Sequence, residues 1–139
     1  MGWIHYLAYQ RSKQAVLSAI CSRDATKRRG DWTSIKGNFG PPGEVVDLSN
    51  VSTYEQLDAM LADPNIDAVD ICLPPALHKP VAVAALRAGK HVLCEKPIAL
   101  NIEDAEAMTK SAQANNCVLA IAQVLPYMGA FRFALDKAR

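Results

Sequence analysis

Gly2 opens a run of helical character, and Ser22-Arg23-Asp24 closes a strand-like run some twenty residues later. A glycine at a helix start lets backbone amides approach an anion, and the positive end of the helix dipole favours a phosphate there. A serine and an arginine at a strand end supply a hydroxyl and a fork of guanidinium donors, which suit a phosphorylated sugar. Lys27 and Arg28 add to the positive field, although Arg23, Lys27, Arg28 and Arg29 read alone are a solvated turn. Asp24 offers the opposite chemistry, because a carboxylate accepts hydrogen bonds from free ribose hydroxyls and repels a phosphate on them.

The elements that must position these groups follow from periodicity. Trp3 to Tyr9 is helix-like, and Ala15 to Cys21 is strand-like. Val45 to Leu48 is a short apolar run, after which Tyr54, Leu57 and Leu61 recur at helical spacing until Asp63-Pro64-Asn65. Ala68 to Leu73 reads as a buried strand ended by Pro74-Pro75. Leu77, Val81, Ala85 and Ala88 line one face of the next helix, which Gly89 stops. His91 to Cys94 is another strand, Ile102 to Ala112 a helix capped by Asn101, and Cys117 to Val124 a last β-like run. Short apolar strands alternating with amphipathic helices predict an α/β fold with a doubly wound parallel sheet and helices on both faces. In such a fold that binds a dinucleotide, the ribose-reading residue stands about twenty residues beyond the glycines of the first helix, where Ser22 falls here. A serine followed by an arginine favours NADP, whereas Asp24 as the reader would favour NAD.

Composition narrows the partners. The 139 residues carry a net charge of +1 and are half apolar, which suits one domain and gives no basic stripe for nucleic acid. No apolar stretch is long enough to span a bilayer. Cys21, Cys72, Cys94 and Cys117 form no CxxC pair and read as buried thiols of a reducing, cytoplasmic protein, with no metal site. The stretch from Gly30 to Gly43 is a loop rich in turn formers and lacks the lysine of a phosphate-cradling P-loop.

Two longer strings then define a resemblance. Asp67-Ala-Val-Asp-Ile-Cys-Leu-Pro-Pro-Ala-Leu-His78 and Ala88-Gly-Lys-His-Val-Leu-Cys-Glu-Lys-Pro97 closely resemble the glucose–fructose oxidoreductase / inositol dehydrogenase (Gfo/Idh/MocA) family. The likeness runs from Met1 to about Tyr127, and Met1-Gly2-x-x-His5 matches the usual opening of that family's first helix. It implies NAD(P)-dependent hydride transfer to or from a sugar, polyol or related hydroxyl. Lys96 is implied as the catalytic residue, an ammonium beside the nicotinamide that stabilises a developing alkoxide. Glu95 is implied by the nicotinamide ribose, with Leu73, Pro74 and His78 lining the cofactor cleft. Met1, Gly2, Ser22, Arg23 and Gln123 complete the implied dinucleotide contacts, while His5 on its helix face reads as packing.

Departures qualify what the resemblance carries over. Pro75 stands where an Asn is common, Gln123 where many members have His, and Pro126 where many have Arg. A strand with Gly-x-Gly is expected to precede Met1, and a second, mostly antiparallel domain to follow Arg139. On that view residues 1–125 are an incomplete dinucleotide-binding domain and 126–139 the start of a connection. Without its first, central strand the sheet either re-pairs its second strand with its fourth or stays poorly cooperative, and the chain alone binds dinucleotide weakly and turns nothing over. A homo-oligomeric parent is also implied. The alternative function is a non-catalytic dinucleotide-binding sensor or regulatory subunit.

Overall fold

The computed structural model describes residues 1–36 and 40–138. It is an α/β structure whose paired strands are parallel and lie in two sheets, within two compact units, Met1–Ala68 and Val69–Arg139. Each unit has its own way of making a core.

In the first unit α1 (Gly2–Tyr9) leads to β1 (Ala19–Cys21), α2 (Ala25–Arg28), β2 (Ser52–Tyr54) and α3 (Leu57–Leu61). β1 pairs with β2 in parallel, Ala19 opposite Ser52 and Cys21 opposite Tyr54. Three residues per strand bury little, and the centre of this unit is aromatic instead. Trp3 stacks on Tyr6, and Trp32 meets both rings edge-on at centroid distances of 5.8 and 4.9 Å. Both indole N–H groups donate to backbone carbonyls, Trp3 to Pro41 and Trp32 to Lys27, so the large rings are buried with their polar ends satisfied. Gly30 has φ +86°, and a Cβ there would stand 2.3 Å from the carbonyl oxygen of Val46, which only glycine permits.

The second unit begins within β3 (Ala68–Ile71) and goes on through α4 (His78–Arg87), β4 (His91–Cys94), α5 (Ile102–Ala114), β5 (Leu119–Ile121) and α6 (Gly129–Lys137). The strands run in the order β3-β4-β5, and Cys94 faces Ile121 across the parallel β4–β5 ladder. Val69 and Ile71 in β3, and Val92 and Cys94 in β4, point into the core with the two-residue period of a strand. Ala82, Ala85 and Leu86 of α4 and Met108 and Ala112 of α5 complete it. The Asn101 side chain accepts from the Asp104 amide and starts α5, while Gly89 at φ +75° follows the end of α4.

The expected alternation is therefore present, with local corrections. Tyr54 belongs to β2 and not to the helix, because Ser52–Tyr54 is extended by pairing with β1 rather than by its own apolar pattern. Val45 to Leu48 forms no strand beyond a single antiparallel bridge from Val45 to Asp31. The buried face of α4 is His78, Ala82, Ala85 and Leu86, rotated by one residue from the expected one, because a 3₁₀ turn at Pro75–Leu77 sets the phase of the helix. Of the four free cysteines only Cys94 is buried; Cys21 is exposed and the other two are half-buried. Ala19–Cys21 belongs to the two-stranded sheet and Ala68–Ile71 to the three-stranded one. Part of the Gly30 to Gly43 loop, Gly37-Asn38-Phe39, lies outside the described residues.

Candidate dinucleotide-binding site

Parallel strands end on one edge, and the register makes that edge explicit. Ile71, Cys94 and Ile121 are the last residues of β3, β4 and β5, and the Glu95 amide still donates to the Ile71 carbonyl at 3.0 Å. Leu73, Lys96 and Gln123 each stand two residues further on, so one sheet brings three of the predicted residues to a single carboxyl edge. Ligands of open parallel sheets bind at such edges.

Lys96 is exposed, yet its backbone is held closely. Glu95 is 5% exposed, and its Oε2 accepts from the Lys96 amide at 2.9 Å. The bond from Lys96 to Pro97 is cis. Immediately after it, the Pro97 carbonyl oxygen lies 2.8 Å from Nδ1 of His78, whose Nε2 lies 2.8 Å from the Leu73 carbonyl oxygen. His78 has no exposed surface, so its part in the site runs through the two backbone segments it touches. Leu73 and Pro74 are exposed, as is Gln123, whose amide donates to the Ile121 carbonyl at 2.7 Å. The edge thus presents an ammonium on a fixed turn, an apolar wall and an amide side chain.

Below this edge Cys94 has no exposed surface. Burial pushes the Cys94 thiol up to about 11, with Asp70, Cys72 and Glu95 adding negative potential. A thiol held protonated in this way packs as an apolar group and is no nucleophile at neutral pH.

In the first unit the predicted residues cluster at two places. Met1 and Gly2 are exposed at the start of α1, where the Met1 carbonyl accepts from Ile4 at 2.8 Å. Ser22 follows β1 directly, and its amide donates to the Tyr54 carbonyl. Its Oγ accepts from the Asp24 amide, which leaves the hydroxyl hydrogen free for an acceptor such as a ribose or phosphate oxygen. Arg23 is exposed. The Asp24 carboxylate is taken up by the amides of Thr26 and Lys27, capping α2. Arg28 is committed too, donating to the Ser22 carbonyl at 2.6 Å and pairing with Glu55 at 3.1 Å. Asp24 and Arg28, both candidate ligands by their charge, brace the turn that carries Ser22 and Arg23, and Arg28 also ties it to Glu55, 27 residues on.

Comparisons with known proteins identify the family of the chain. Residues 2–123 match the model of the oxidoreductase family with an NAD-binding Rossmann fold, Gfo/Idh/MocA. The chain is 44% identical over 112 residues to an uncharacterised oxidoreductase of Schizosaccharomyces pombe, covering 81% of this chain and 28% of the relative. A scyllo-inositol 2-dehydrogenase (NADP(+)) of Bacillus subtilis is 43% identical over 91 residues, covering 65% of this chain and 28% of that protein. The crystal structure of myo-inositol 2-dehydrogenase from Lactobacillus plantarum superposes with a TM-score of 0.78 at 26% identity, covering 99% of this chain and 37% of that one. The protein belongs to the Gfo/Idh/MocA oxidoreductase family and carries its NAD(P)-binding Rossmann domain. It spans well under half the length of the proteins it matches. Among the described residues no helix is long and apolar enough to cross a membrane.

Proposed function

We propose that this chain is the dinucleotide-binding part, residues 1–125, of an oxidoreductase acting on a sugar, polyol or related hydroxyl, with 126–139 leading out of it. The observation that carries the reading is the exposed Lys96 on a pinned turn at the carboxyl edge of β3-β4-β5, inside the family-matched span. Bound NAD(P) supplies the hydride acceptor or donor. Lys96 donates a hydrogen bond to the substrate oxygen and stabilises negative charge that builds there. Glu95 holds the Lys96 backbone, and Leu73 and Pro74 form the wall that excludes water from the reacting face. Met1 and Gly2 offer the amide end of α1 to the diphosphate.

NADP is the preferred cofactor on this reading. Ser22 retains a hydroxyl hydrogen, Arg23 is exposed, and the carboxylate of Asp24, two residues on, is turned onto backbone amides. The relative from Bacillus subtilis is named for NADP(+), which accords with this preference. The protein acts in the cytoplasm as a homo-oligomer, and the 139-residue chain by itself binds NADPH weakly without turnover.

The test is Lys96→Ala in a protein of the relatives' length that carries this chain, followed at the absorbance of NADPH with inositols and sugars as substrates. A loss of roughly 10²–10³-fold in kcat is expected, the scale of removing one charge-stabilising donor. Saturable NADPH binding with no turnover by the unmodified protein would instead support a dinucleotide sensor.

A further inference from the structure

Leu73 and Pro97 are 24 residues apart in sequence, and one imidazole touches the carbonyl oxygens of both at 2.8 Å. Both carbonyls lie just beyond strand ends, past the last rungs of the β3 and β4 ladders. His78 itself opens α4 with no exposed surface, although histidine is seldom buried so completely without polar partners. Its two nitrogens sit on opposite sides of a rigid ring, so it can meet one acceptor on each side. A neutral ring donates to one of the two carbonyls, and a doubly protonated ring donates to both.

We propose that His78 is a positioning residue for Lys96: its imidazole, seated between the Leu73 and Pro97 carbonyls, ties the end of β3 to the Lys96-Pro97 turn and so fixes the backbone that carries the ammonium. This rests on reading the carboxyl edge as the cofactor edge. The turn is gripped on its two flanks, by the Glu95 carboxylate at the Lys96 amide and by His78 at the Pro97 carbonyl. Leucine at position 78 fills the space and leaves both carbonyls without this partner. Glutamine keeps amide donors on a single nitrogen and reaches only one side.

The test compares the unmodified chain with H78Q and H78L by residue-resolved amide hydrogen exchange and by NADPH titration. In H78L the amides of Lys96 and Leu77, which close the two tethered turns, exchange about tenfold faster or more, while those of Val92 and Cys94 in β4 stay within about twofold. NADPH binding weakens about tenfold in H78L, and by less in H78Q. Unchanged protection at Lys96 and Leu77, or a uniform loss through β4, overturns the proposal and makes His78 a core filler. Should H78L not fold, H78Q decides by the same comparison. Failure of the unmodified chain to bind NADPH refutes the cofactor reading, and the exchange pattern still decides whether His78 is a clamp.

Discussion

The two units solve one problem differently. In Val69–Arg139 the strands supply the core, with alternate residues of β3 and β4 buried beneath α4 and α5. In Met1–Ala68 the strands are three residues long and half exposed, and the aromatic core cluster is Trp3, Trp32 and Val46, with the backbone carbonyls of Pro41 and Lys27 accepting from the indoles. A two-stranded ladder is marginal by itself, so the aromatic cluster has to hold the segments that carry Ser22 and Arg23. The strand-built unit places the Lys96 turn at the end of a backbone ladder and holds it with the Glu95 and His78 side chains; the aromatic unit has only a short ladder and holds it by side-chain packing. Precision of placement should therefore fail in different ways.

The largest break in this contrast comes from Trp3→Ala, expected to cost about 3–5 kcal/mol in urea unfolding because it empties the aromatic centre. Leu86→Ala, at a fully buried position of α4, should cost about 2–5 kcal/mol by the same measurement. The two should differ in spectroscopic reach: near-ultraviolet circular dichroism collapses for Trp3→Ala and persists for Leu86→Ala.

A pH series sharpens the difference. The Cys94 thiol is raised by burial from 9.0 to about 11, so the folded chain holds a proton that the unfolded chain releases first. Its contribution to stability is complete below pH 9 and is lost as the pH rises towards 11. Cys94→Ala should flatten that alkaline limb, and a profile unchanged by the substitution would contradict the assignment. The smallest effect belongs to Asn101→Ala, which removes the α5 cap and should cost about 1 kcal/mol in the same assay.

The parallel α/β plan and the carboxyl-edge residues were legible because buried strands announce themselves as apolar runs and Glu95-Lys96-Pro97 follows one directly. β2 was not, since Ser52, Thr53 and Tyr54 carry no apolar pattern and owe their extended shape to a partner remote in sequence. The burial of His78 was hidden by a phase error: counting α4 from Leu77 turns that residue outward, whereas the 3₁₀ turn places it inside. For Asp24 and Arg28 the sequence shows charge without the partners that the folded chain gives them. The engagement of Asp24 with the Thr26 and Lys27 amides is a matter of turn geometry, and that of Arg28 with Glu55 is a contact 27 residues away, neither of which composition encodes.

The central claim is that the ends of β3, β4 and β5 receive the nicotinamide end of the cofactor beside Lys96. An NMR titration of the isotopically labelled chain with NADPH tests it most directly, because weak binding is readable there. The account predicts saturable shifts centred on the amides of Leu73, Lys96 and Gln123. Saturable shifts that leave these three amides unmoved would contradict it.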